Sequence, residues 1–169
     1  MLHSVFGSNR PLVQVFLLIP TALGIAVAVW LAEPSVDPLA GPPVAWLQNA
    51  LKDVPVFGFL IGGLLYLMSA YLINNIYNTY AFGGRENYFP ALVYVMFSLG
   101  MLEWTYMHPA LWANFFVLLA LRRLLMIYRV RAAISMVFDA GLFLGLAIGC
   151  FPPAVLVLPL IWLALIRFR

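Results

Sequence analysis

Six apolar runs, each 16 to 22 residues long and separated by more polar segments, occupy residues 11–32, 56–77, 88–104, 109–128, 132–149 and 153–168 of this chain. Coiled as α-helices rising 1.5 Å per residue, runs of about 20 residues match a hydrocarbon core about 30 Å thick. With 65% hydrophobic and 9% charged residues in a length of 169, the chain carries more apolar surface than one water-soluble core could hide. The expected fold class is all-α. It is a single polytopic transmembrane helical bundle of about six spans covering residues 1–169. Pro20 lies inside the first run, which lipid tolerates when neighbouring helices satisfy the freed carbonyl. That run is too long for the apolar region of a signal peptide, and no small-x-small cleavage site precedes soluble sequence.

The basic residues orient the spans, because cytoplasmic loops collect Lys and Arg. Arg10 precedes the first run and Arg85 lies between the second and third. Arg122, Arg123, Arg129 and Arg131 flank the junction of the fourth and fifth, and Arg167 and Arg169 end the chain. An even number of spans puts all of them on one side and leaves Lys52, Glu33, Asp37, Asp53 and Glu103 on the other. Both termini are therefore expected in the cytoplasm. The formal net charge of +3 reports this topology rather than nucleic-acid binding. The single cysteine, Cys150, excludes an internal disulfide.

The outer loop, residues 33–55, is the one sizeable extramembrane piece. Its first half, "EPSVDPLAGPP", is too rich in Pro and Gly for regular structure. In the second half, Val44, Trp46, Leu47 and Leu51 oppose Gln48, Asn49, Lys52 and Asp53, the pattern of a short helix lying in the membrane interface.

The stretch "ISMVFDAGLFLGLAIG" places Asp139 among apolar residues. Counted from the cytoplasmic end of its run, Asp139 lies roughly 10 to 12 Å into the core. An ionised carboxylate there costs about 2.5 to 3.5 kcal/mol, so it must be protonated, paired or facing water. Arginines at the same helix end can snorkel toward it. The same helix carries Gly141, Gly145 and Gly149, a ridge that admits a second backbone and is expected to pack against a helix of the same chain. The carboxylate points about 120° away from that ridge, toward a second helix, a cavity or a partner.

Other intramembrane polar residues, Asn74, Asn78 and Asn114, read as interhelical hydrogen-bonding groups, and Gly58 with Gly62 forms a second small-residue face. Arg122, Arg123, Arg129 and Arg131 are a topology signal and a place for anionic lipid headgroups. Glu103 and His108 bracket the outer turn "EWTYMHP" and suit an interfacial pair better than a metal site. No H-E-x-x-H, G-x-S-x-G, Walker loop or Cys/His spacing marks catalysis or a metal, and no cofactor is expected. Trp30, Trp104, Trp112 and Tyr128 fall where interfacial aromatic belts form.

The strings "ENYFPALVYVMFSLG", "WANFFVLLALRRLLMIYR" and "VFDAGLFLGLA" resemble the signature segments of an uncharacterised integral-membrane family of Bacteroidota. The resemblance covers about residues 70 to 169 and implies the inner membrane of a diderm bacterium, without implying an activity. Members of that family continue past the sixth helix, so the resemblance leaves two readings: a short relative, or the N-terminal part of a longer protein.

A first helix, an acidic outer loop, a juxtamembrane helix and a helix pair with a basic cytoplasmic turn are also similar to the start of the GT-C glycosyltransferases. That likeness implies a lipid-phosphate-sugar donor and a general base in the first outer loop, here Glu33 or Asp37. The family often carries an adjacent Asp-Glu pair, whereas Glu33 and Asp37 stand four apart with a proline after each. The favoured expectation is a non-catalytic subunit or scaffold of a larger cell-envelope complex, with membrane lipids and other membrane proteins as partners. An ion or proton pathway through Asp139 is the third reading.

Overall fold

The computed structural model describes residues 11–31, 37–80, 88–99, 106–127 and 134–167. Helices joined by short turns make up these residues, with no strand among them. In chain order they form α1 (Pro11–Leu31), α2 (Pro42–Ala50), α3 (Pro55–Thr79), α4 (Phe89–Leu99), α5 (Pro109–Ile127), α6 (Ile134–Cys150), a 3₁₀ segment (Pro152–Val157) and α7 (Leu158–Arg167). Helices α1, α2, α3 and α5 each begin on a proline. At a first helical position its fixed φ suits the helix, and its missing N–H would have had no intrahelical acceptor. Helices α3 and α5 are long and apolar enough to cross a membrane, with mean hydropathy of 2.0 and 1.7; Phe89–Ser98 and Ile134–Cys150 are shorter apolar helices.

The chain forms two compact units, residues 1–35 with 51–108, and residues 36–50 with 109–169. In the first unit α3 packs against α1 and α4. Ala70 of α3 clusters with Tyr88, Ala91 and Val95 at α4, and the Tyr66 hydroxyl donates to the Ser98 carbonyl at 3.3 Å. Phe59 meets Tyr106 edge-to-face, with ring centroids 5.1 Å apart. Gly58 makes room for that ring, since a Cβ there would overlap the Tyr106 side chain. Burial raises the Tyr106 phenol above its usual pKa. The turn after it carries Met107 at φ 41, a left-handed position held although the side chain is fully buried.

In the second unit α5 and α6 form an antiparallel pair along a seam of alanines. Ala113 of α5 clusters with Ala147 of α6, and Ala120 with Ala140, flanked by Leu124 and Leu144. The alanines recur every seven residues on both helices, which keeps them on facing stripes. Methyl side chains let the two backbones approach while retaining van der Waals contact, the interaction that holds helices together in lipid.

The sixth apolar run departs from the continuous helix expected over residues 153–168. Its first part is the 3₁₀ segment, and only Leu158–Arg167 is α-helical. Pro159 has no N–H to give the Val155 carbonyl, which takes the Leu158 N–H instead, three residues on. The helix expected in the outer loop is present as α2, and the face it turns toward the protein mixes apolar with polar. Val44 and Gln48 are buried, Gln48 to 1% exposure, whereas Trp46 is 71% exposed. The cause is the approach of Gly41, whose N–H donates to the Cys150 carbonyl at 2.8 Å and so seats the start of α2 on the end of α6.

Candidate functional site

The α5 and α6 pair brings Arg122, Arg123 and Asp139 to one end of the second unit. On α6, Ala140, Leu144 and Ala147 face α5, and at 100° per residue Asp139 lies on the flank of that stripe. Arg123 of α5 stands at the same end of the pair, four residues from the last residue of its helix, so the two side chains meet. The Arg123 Nε lies 3.4 Å from the Asp139 Oδ2, with the side chains 43% and 41% exposed. The carboxylate is thus paired, and the pairing cation is one of the arginines at its own helix end. Arg122 and Arg123 also line a recess of about 160 Å³ together with Leu119, Met126 and Phe143.

The glycine ridge is not where the pair packs. Gly141, Gly145 and Gly149 are exposed, and a Cβ built on any of them meets nothing within 4 Å. Among the described residues, then, no helix of the same chain fills the space beside this ridge. The alanine stripe supplies the close approach, and the ridge lies nearly opposite it, at about 150° around α6. A signal for this existed in the sequence, the seven-residue spacing of Ala113 with Ala120 and of Ala140 with Ala147. The more familiar glycine repeat masked it.

Other expected site residues fall elsewhere. Asn74 is buried in α3, with its Oδ1 lacking a hydrogen-bond partner among the described residues, whereas Asn78 and Asn114 are half-buried. Gly58 and Gly62 are both buried in the first unit. Gly63, which sequence reading passed over, admits the Ile25 side chain of α1 into the space a Cβ would take. Asp37 is used locally: its Oδ1 accepts the Leu39 N–H at 2.7 Å and its carbonyl the Ala40 N–H at 3.0 Å, a turn leading into α2. Glu33, Glu103, Arg129 and Arg131 lie outside the described residues.

Among the described residues no three His, Cys, Asp or Glu side chains come together as a metal site. Arg122 and Arg123 put two guanidinium groups at one end of the helix pair, one of them held by the Asp139 carboxylate. No family model, curated protein or solved structure matches the chain.

Proposed function

We propose that this protein is a multi-pass subunit of a larger complex in the inner membrane of a diderm bacterium, acting as an assembly element rather than as a catalyst. In this reading six spans cross the bilayer with both termini in the cytoplasm, and the ends of α5 and α6 near Arg123 and Asp139 face that side. The arginine distribution supports the orientation. The resemblance of "VFDAGLFLGLA" and its companion strings to a Bacteroidota membrane family supports the compartment.

The observation that carries the assembly role is the open face of α6. Gly141 and Gly145 offer a smooth backbone surface, and a Cβ on either, or on Gly149 beside the α2 docking point, would meet nothing within 4 Å among the described residues, while the opposite face is spent on the alanine seam. Helices in lipid associate where backbones can approach, and a three-glycine ridge is the cheapest such surface. Exposed Phe138, Leu142 and Leu146 on the same helix supply the side chains that would interlock with a partner span.

The test is extraction of the tagged full chain in mild detergent, with G145L as the comparison. Wild type should co-purify with a membrane partner that G145L loses, while both elute as folded protein. A lone wild-type monomer of unchanged mass would refute the assembly role. Cysteine-scanning accessibility checks the topology: a thiol at position 52 should react from outside the cell and one at position 122 should not.

A further inference from the structure

The recess beside Arg122 and Arg123 has a composition of its own. Two guanidinium side chains meet three apolar ones, Leu119, Met126 and Phe143, around a volume of about 160 Å³. Arg123 turns its Nε to the Asp139 Oδ2 at 3.4 Å, and a guanidinium carries five N–H donors in its fork, more than one carboxylate contact uses. Arg122 has no carboxylate within ion-pair distance among the described residues. Among the described residues, two cations against one anion leave the site with one positive charge. A guanidinium held near the edge of the hydrocarbon without a counter-ion is unfavourable, so such a site recruits an anion.

We propose that this recess binds the phosphodiester headgroup of a monoanionic membrane lipid. The phosphate oxygens accept hydrogen bonds from Arg122 and from the guanidinium donors of Arg123 that Asp139 does not take, a match for the planar fork of guanidinium. The upper acyl chain lies along Leu119, Met126 and Phe143. One phosphodiester charge neutralises the site, whereas a zwitterionic headgroup brings an ammonium that has no carboxylate among the lining residues. Asp139 acts here as a positioning residue: by holding the Arg123 Nε, it keeps the rest of that side chain at the recess.

The proposal rests on the membrane-embedded reading, and it is tested on the isolated full chain so that its failure leaves the assembly role standing. The purified protein in a neutral detergent is titrated with short-chain phosphatidylglycerol, short-chain phosphatidylcholine or inorganic phosphate, with bound adducts read by native mass spectrometry. Phosphatidylglycerol should bind saturably, at least fivefold more tightly than phosphatidylcholine, and inorganic phosphate at equal concentration should not displace it. R122Q should weaken that binding about fivefold, R122K less, and K52Q not at all. Equal binding of the two lipids, or undiminished binding to folded R122Q, overturns the proposal. Displacement by inorganic phosphate at equal concentration overturns it as well, by assigning the site to free phosphate. Should R122Q fail to fold, the lipid preference of the wild-type chain still decides.

Discussion

The Arg123 guanidinium and the Asp139 carboxylate meet at 3.4 Å across two antiparallel helices, each side chain about two-fifths exposed. In water such a pair contributes about 0 to 1 kcal/mol. At the edge of a bilayer the value rises, because the alternative for each partner is an uncompensated charge near hydrocarbon.

A double-mutant cycle separates these cases. R123Q and D139N should each destabilise the detergent-solubilised protein, and the double variant should recover part of the loss, with a coupling of about 1 to 2 kcal/mol. Denaturant unfolding followed by tryptophan fluorescence measures it. Additive losses would show that the two charges do not act together.

The alanine seam tolerates no added volume. A147L should cost about 1 to 3 kcal/mol, since the α5 backbone has to move away, and A120L should do the same from the other helix. By contrast, G145A adds its methyl group to open space and should gain up to about 1 kcal/mol from helix propensity alone. Thermal unfolding of the three variants should therefore order as G145A, wild type, A147L. A147L at or above wild type would contradict the seam.

In the first unit, G58A forces a methyl against the Tyr106 ring, with other ring atoms at 2.9 and 3.0 Å. A loss of about 1 to 3 kcal/mol is expected. Combining it with Y106A should remove the clash, so the added cost of G58A in that background falls toward zero. An unchanged increment would place the strain elsewhere.

G41A sets a methyl against the carbonyl of Gly149, which is backbone and cannot rotate away. The variant should undock α2, seen as faster proteolysis between residues 37 and 50, with α5 and α6 still protected.

Much of this architecture is legible in the residues. The prolines at positions 11, 42, 55 and 109 mark helix starts, and a carboxylate set among apolar residues with arginines at its own helix end calls for an ion pair. Which arginine answers is not legible, because Arg122 and Arg123 differ only by 100° around α5 and the choice depends on how the helices roll against each other. The glycine ridge misled for a related reason. Glycine and alanine both permit close packing, and the decision lies with the facing helix, where Ala113 and Ala120 sit at the matching spacing. The orientation of α2 was hidden as well, since a backbone hydrogen bond from Gly41 leaves no mark in an apolar pattern.

That hydrogen bond, from Gly41 to Cys150, joins residues more than a hundred positions apart in the chain. A ribosome adding about 5 to 20 residues per second needs roughly 5 to 20 s to cover the interval. Throughout that time Val44 and Gln48 lack their final neighbours. The short helix therefore cannot dock until α6 has been made, and until then residues 37–50 stand open to any protease that meets them.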